Sequence, residues 1–359
     1  MTGRLPDFPW DRLAPAAEVA RAHPDGIVDL SVGTPVDPTP EPIRAALAAA
    51  ADAPGYPLTA GSAPLRAAIV NWLRRRFGAE LAAEAVLPVI GTKEAVAWLP
   101  TLLEATSVGI PELAYPTYDV GARLAGATAT AVDSTLALGP GRIDLLWLNS
   151  PANPTGKVLP FDHLRKVLDW ARERGTIVAS DECYADLYYA GEPPVSVLSP
   201  EVCDGSHAGV LAVHSLSKRS NLAGYRAGFI AGDPDLVGRL LDLRKHAGMI
   251  VPSPVQAAMV AALDDDDHVA AQRRIYAARR SSLLAALRTA GFVVDDTGAG
   301  LYLWATRHES CWDTVNELAG RGILVAPGEF YGPAGANYVR IALTATDERI
   351  AAAVCRLTA

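Results

Sequence analysis

The sequence predicts an α/β protein: a mostly parallel central sheet covered by helices, followed by a smaller α+β domain. Short apolar runs at 86–90, 143–148, 176–179 and 209–213 alternate with helical patterns up to about residue 245, as the βα units of a parallel sheet do. Each run gives way to a polar cluster, the pattern of a buried strand ending in a functional loop. Beyond residue 245 the order changes to two Ala- and Arg-rich helical patterns, 254–263 and 269–287, and then to short strand candidates at 302–305 and 338–343.

Taken in order, a Pro-rich opening at 5–42 precedes the alternating part. The run 86–90 leads into Gly91-Thr92-Lys93-Glu94 and a helical pattern at 95–103, so these amides form a helix N-terminus able to hold a phosphate. The run 143–148 ends in Asn149-Ser150-Pro151-Ala152-Asn153-Pro154-Thr155-Gly156, and 176–179 ends in Ser180-Asp181-Glu182-Cys183-Tyr184. The run 209–213 leads to Ser215-Leu216-Ser217-Lys218, with Arg226 eight positions further on between Gly224 and Gly228. If these strands neighbour one another in one parallel sheet, Asn153, Asp181, Tyr184, Ser215, Lys218 and Arg226 gather at its carboxyl edge, where open α/β sheets place their ligands.

That set has a chemical logic. A lysine can form a Schiff base with a carbonyl. A carboxylate can hold a pyridine nitrogen protonated, and an amide and a phenol can bond a ring hydroxyl. The planar fork of Arg226 suits an anionic oxygen group, and its glycine neighbours let the backbone come close. Together these groups answer the polar atoms of pyridoxal phosphate.

On these residues the chain resembles the class I pyridoxal-phosphate aminotransferases of the aspartate aminotransferase fold, the fold type I of PLP-dependent transferases, over nearly its whole length. Asn153-Pro154-Thr155-Gly156, Asp181-Glu182-Cys183-Tyr184 and Ser215-Leu216-Ser217-Lys218 through Arg226 match in order and spacing. The resemblance implies that Lys218 carries the cofactor and shuttles the substrate α-proton, and that Asp181 pairs with the pyridinium nitrogen. It further implies that Asn153 and Tyr184 bond the ring hydroxyl, that Ser215, Arg226, Thr92 and Lys93 serve the phosphate, and that Tyr118 stacks on the ring. Tyr56, in Gly55-Tyr56-Pro57, resembles the tyrosine that reaches the phosphate across a homodimer interface. Arg340 and Gly33 match the residues at the substrate α-carboxylate, and Asn153 lies beside it. The implied domains are an N-terminal segment, 1–40, folding back on the small domain; a large cofactor-binding domain, 41–245; and a small domain, 246–359.

A narrower resemblance concerns substrate. Phe8-Pro9-Trp10-Asp11, Ser217-Lys218-Arg219-Ser220-Asn221-Leu222 and Arg244-Lys245-His246-Ala247-Gly248-Met249 look like the bacterial N-succinyldiaminopimelate aminotransferases of lysine synthesis. These take glutamate as donor and return 2-oxoglutarate. Two remote carboxylates call for further cations, and Arg219, Arg244 and Lys245 are the candidates. Another amino acid (aspartate, alanine or an aromatic one) or β-elimination is the alternative on the same scaffold.

Composition excludes other classes. A net charge of −8 and the lack of a basic cluster with interleaved aromatics argue against nucleic acid. There is no segment of signal-peptide form and no apolar stretch of ~18 residues, so the cytoplasm is the expected compartment. Cys183, Cys203, Cys311 and Cys355 are scattered without a C-x-x-C pair and read as reduced thiols, with no metal expected. Ser215-x-x-Lys218 also satisfies the S-x-x-K element of serine acyl enzymes, but the S-D-N and K-T-G partners are missing. A P-loop at 153–157 fails for want of its first glycine and its Ser/Thr. A regulator's effector domain of this fold would need a DNA-binding unit, for which there is no room before Pro35.

Overall fold

The computed structural model describes residues 5–133, 142–295 and 298–359. A short strand β1 (Val28–Asp29) precedes the strands of one large sheet: β2 (Val86–Ile90), β3 (Ser107–Ile110), β4 (Thr128–Ala131), β5 (Leu145–Asn149), β6 (Ile177–Asp181), β7 (Val210–Ser215) and β8 (Ala227–Gly232). Their spatial order is β2-β8-β7-β6-β5-β3-β4. The pairs from β4 through β7 are parallel, whereas β8 runs antiparallel to both its neighbours, β2 and β7. The expected neighbourhood of the three polar-ended strands is therefore observed as β5-β6-β7.

Both faces of this sheet are covered, which is why its strands read as continuous apolar runs. Along β7, Val210 and Ala212 enter one core with Trp72, Phe77, Leu164 and Phe229, while Leu211 and Val213 enter a second with Val96, Tyr118 and Trp147. The helix Ala63–Phe77 shows how such covering elements are delimited. The Ser62 hydroxyl accepts from the amide of Leu65, proline stands in the first turn, and Gly78 ends the helix at a φ of 67°.

The smaller domain has its own core and a sheet of order β12-β13-β10-β9, with β9 (Val293–Asp295), β10 (Tyr302–Thr306), β12 (Ala326–Pro327) and β13 (Val339–Ala342). The strand β11 (Ile323–Leu324) pairs in parallel with β1, and the helix Ala14–Arg21 buries Ala16, Ala17 and Ala20 in the same core. Strand β1 and the helix Ala14–Arg21 thus share the core of the smaller sheet. Helix Ser253–Asp264, which follows residue 245, packs instead against Glu41–Ala49 and Ala63–Phe77, with Ala258, Met259, Ala262 and Leu263 in the large core. The end of the βα alternation marks the last sheet strand, but one more helix is needed to cover that face. No helix among the described residues is long and apolar enough to cross a membrane.

Candidate active site

The register of the large sheet brings the chemistry together. Asn149 pairs with Asp181, Asp181 with Val213, and Ser215 with Gly228, so β5, β6 and β7 end side by side. Because β8 is antiparallel, Arg226 just before it arrives at the same edge. Ile90 pairs with Ala227, which sets Gly91 and Thr92 next to Arg226. Above this edge lies a cavity of about 590 Å³ lined by Gly33, Thr92, Lys93, Asn153, Asp181, Tyr184, Ser215, Lys218, Arg226 and Arg340.

Asp181 is the buried anion of the site. Its Oδ2 accepts from the Tyr118 hydroxyl at 2.8 Å and its Oδ1 from the amide of Cys183 at 3.1 Å. Burial raises the carboxyl pKa, and the bonds from Cys183 and Tyr118 partly oppose that shift. Among the described residues no ion pair neutralises it. A protonated ring nitrogen in the cavity would supply the missing positive charge.

Lys218 is half-buried and donates to the carbonyl of Gly33. Burial holds its amine pKa below the ordinary value, and the positive charges of Arg340 and Arg226 push the same way. A lowered amine is a better nucleophile at neutral pH. Ser215 Oγ caps its own turn by accepting from the amide of Ser217 at 3.1 Å, and the Lys218 amine donates to the Gly33 carbonyl rather than to Ser215.

The phosphate end is a cradle. Gly91 has a φ of 73°, and a Cβ there would overlap the Arg226 guanidinium. Arg226, itself at a φ of 55°, is exposed to the cavity and anchored by donating to the carbonyl of Ala223 at 2.8 Å. The helix Thr92–Leu102 starts here, and Thr92, Ser215 and Ser217 line the same end. Free helix amides, hydroxyls and one guanidinium suit a phosphate dianion. The residues present fit pyridoxal phosphate at both its ring and its phosphate.

At the opposite end, Arg340 is 3% exposed; it donates to Asn153 Oδ1 at 3.0 Å and to the carbonyl of Ser31 at 2.6 Å. Arg340 and Trp304 are direct partners between β13 and β10, and Tyr302 lies two residues from Trp304 on the same face. The guanidinium consequently sits 3.9 Å from the centre of the Tyr302 ring and 4.9 Å from that of Tyr331. The Tyr302 and Tyr184 hydroxyls are 3.1 Å apart. Asn153 is thereby tied to Arg340, and Tyr184 to Tyr302 of the aromatic group around that arginine.

Several expected roles differ from what is seen. Tyr118 does not face the cavity: it is fully buried, stacked on Trp147 at 5.0 Å, and spends its hydroxyl on Asp181. Tyr115, in the same motif, lines the cavity wall instead. Tyr115 precedes the helix Thr117–Ala125, whereas Tyr118 lies in its first turn and packs on Trp147. The Lys93 side chain is turned to the cavity mouth, with its amine 5.6 Å from the centre of the Phe8 ring. Tyr56 is fully exposed and remote from this cavity, beside Leu58, Ser253 and Gln256.

None of the three candidates for distal carboxylates lines the cavity. Arg219 is buried against Asp186 at 2.8 Å and over the Trp72 ring. Arg244 is 1% exposed and makes a two-pronged pair with Glu94 at 2.7 and 3.1 Å. Lys245 is on the surface beside Asp242 at 3.0 Å. Each of the three already has a carboxylate partner in the fold. Sequence reading missed Tyr302, Tyr115 and the cavity roles of Phe8 and Trp10. Tyr115 carried a local signal as the first aromatic of its Tyr-Pro-x-Tyr stretch, and Phe8 and Trp10 lie in the Phe8-Pro9-Trp10-Asp11 stretch noted for substrate; Tyr302 carried none.

The comparisons with known proteins agree with this geometry. The family described as "Aminotransferase class I and II" matches residues 25–357. A probable aminotransferase of Mycobacterium tuberculosis is 65% identical across 100% of this chain and 86% of its own length. The 4-dedimethylamino-4-oxo-anhydrotetracycline transaminase OxyQ of Streptomyces rimosus is 60% identical, with 99% of both chains covered. Among solved structures, a probable N-succinyldiaminopimelate aminotransferase from Thermus thermophilus superposes with a TM-score of 0.89 at 30% identity, covering 98% of this chain and 99% of its own. With a family match over nearly its whole length and relatives of the same extent, this chain belongs to the class I and II aminotransferases and is a pyridoxal-phosphate-dependent transaminase of fold type I.

Proposed function

We propose that the protein exchanges an α-amino group between the glutamate/2-oxoglutarate couple and a second amino acid/2-oxo acid couple, N-succinyldiaminopimelate being the amino acid of that second couple in bacterial lysine and diaminopimelate synthesis. The observation that carries the general reading is the convergence of Lys218, Asp181 and Arg340 on one cavity, with the Arg226 and Gly91 cradle at its end. When bound, pyridoxal phosphate supplies an electron sink for the α-carbon. Arg340 grips the α-carboxylate and is oriented by Asn153 and the carbonyl of Ser31. The Lys218 amine takes the α-proton and returns it, which its lowered basicity suits. Tyr56 serves the cavity of a second copy in a homodimer, in keeping with its full exposure.

The Thermus thermophilus neighbour supports the diaminopimelate substrate. Lys93 at the cavity mouth is the cation that remains for a distal carboxylate once Lys218, Arg226 and Arg340 are used. A second reading is favoured by the outer wall, where Phe8, Trp10, Val32, Val96, Val120 and Tyr115 present apolar surface. That wall and the Streptomyces relative point to a bulky, largely apolar ketone as acceptor. Incubating the cofactor-loaded enzyme with N-succinyldiaminopimelate and 2-oxoglutarate, and measuring glutamate against aspartate, alanine and phenylalanine as donors, separates the readings. Glutamate formed fastest from the succinylated donor supports the first. With glutamate as donor, faster amino transfer to a bulky aromatic ketone than to 2-oxo acids favours the second, and no amino transfer in either arrangement overturns both.

A further inference from the structure

Glu182 and His214 occupy the side of the sheet opposite the cavity, directly beneath its chemistry. Side chains alternate along a strand, so Asp181 and Ser215 point toward the cofactor cavity while the next residue in one strand and the preceding one in the other point away. Glu182 Oε2 and His214 Nε2 lie 3.3 Å apart, with side chains 1% and 4% exposed, and as placed neither atom has a hydrogen-bond partner among the described residues, so a proton between them is what would satisfy both. The other carboxyl oxygen of Glu182 accepts from the amide of Val197 at 2.9 Å. His214 is enclosed by Phe77, stacked at 5.6 Å, and by Trp72 and Phe229 at 5.0 and 5.2 Å. The charged groups nearby are Asp181 in the same strand and the cluster of Asp186 with Arg76 and Arg219.

We propose that Glu182 and His214 form an uncharged, proton-sharing pair that clamps the end of β6 to the end of β7, and so holds Asp181 and the Ser215–Lys218 turn in register for the cofactor. The inference rests on the roles assigned above to Asp181 and Lys218. Each residue of the pair is adjacent in sequence to a cavity-lining one, and each is cut off from water, so only the neutral acid donating to the neutral imidazole avoids a buried charge. Burial acts in that sense on both: it pushes the Glu182 carboxyl up to about 7 and the His214 imidazole down to about 3. Loss of the shared proton removes the donor and places a second anion one residue from Asp181. These are positioning residues, since neither lines the cofactor cavity.

Glu182→Gln tests this, because its amide can still donate to His214 and its carbonyl can still accept from Val197 at every pH. The holoenzyme of this variant is expected to keep its rate at pH 6.5 within about twofold, and to lose the part of the alkaline decline that begins near neutrality. Glu182→Ala is expected to lose roughly tenfold in kcat with little change in KM, equivalent to about 1.4 kcal/mol. Melting of the cofactor-stripped protein against pH is the second readout: the parent's Tm falls as pH rises through 7, and that of the Gln variant does not. If the Gln variant follows the parent in both pH profiles, or is as impaired as the Ala variant at pH 6.5, the clamp is overturned. Should no donor be transaminated by either protein, the functional reading fails, and the cofactor-free melting profiles alone decide the clamp.

Discussion

The Tyr118 hydroxyl donates to Asp181 Oδ2 at 2.8 Å while its ring lies on Trp147 at 5.0 Å, so the carboxylate that faces the cofactor cavity is oriented by a side chain that never enters it. Together with the amide of Cys183, this bond fixes both carboxylate oxygens before any ligand arrives. A preset anion has no reorganisation to make when a protonated ring nitrogen binds.

Tyr118→Phe keeps the stacked ring and removes only the donor. A hydrogen bond to a charged group contributes about 1.5–3 kcal/mol, so kcat is expected to fall roughly tenfold to a hundredfold with weakened cofactor binding. Steady-state rates and a pyridoxal phosphate titration check this. An unchanged pair of values would remove Tyr118 from any role toward Asp181.

Lys218→Ala is expected to abolish amino transfer, by at least ~10³-fold, because among the described residues the other lysine lining the cavity, Lys93, has its amine beside the Phe8 ring. Mass spectrometry after borohydride treatment gives the direct reading. The parent should retain the mass of the cofactor and the variant should not; a variant that still carries it would assign the covalent link elsewhere.

Arg340→Lys leaves one point charge where a fork made two bonds and stacked on Tyr302. KM for the amino donor is expected to rise roughly thirtyfold, about 2 kcal/mol, with a smaller change in kcat. Equal KM values in the two proteins would place the α-carboxylate elsewhere.

Arg244→Ala breaks a buried two-pronged pair and strands Glu94. Because Glu94 keeps 19% of its side chain in solvent, the loss is expected at the lower end of the range for such pairs, about 3 kcal/mol by denaturant titration. KM for a dicarboxylate donor should not change. A rise in KM without loss of stability would restore Arg244 as a substrate ligand.

Global stability should be flat between about pH 4.5 and 6.5 as far as the buried pair is concerned. Glu182 is raised in the fold to about 7, so its contribution is complete below its ordinary 4.5 and is lost as pH rises through 7. His214 is lowered to about 3, so its contribution is present above its ordinary 6.5 and is lost as pH falls toward 3. Between those ordinary values the two slopes, about 1.4 kcal/mol per pH unit for one proton, oppose each other. Urea unfolding from pH 3 to 8.5 measures this, and monotonic stability across the range would contradict it.

The strands carrying Asn149, Asp181 and Ser215 were legible because a buried parallel strand is a continuous apolar run, and the motif loops begin where that run stops. The failure at Arg219, Arg244 and Lys245 has a different origin. A cation's sequence position says nothing about whether a carboxylate of the same fold has already claimed it, and Asp186, Glu94 and Asp242 have. The exchange of roles between Tyr115 and Tyr118 is of the same kind, because the packing of Tyr118 on Trp147, a residue of another strand, takes that ring away from the cavity wall.

By itself, the sequence determined the α/β architecture, the cofactor class and the motif residues Asp181, Lys218 and Arg226, since each depends on spacing within one strand and its following loop. Only the tertiary structure decided what surrounds them. Tyr302 meets Tyr184 and Arg340 through pairing of β10 with β13, Glu182 meets His214 across β6 and β7, and Gly33 comes to Lys218 from the far end of the chain. Such contacts join residues distant in sequence, and they are set by strand register and by which face of each strand the cores bury.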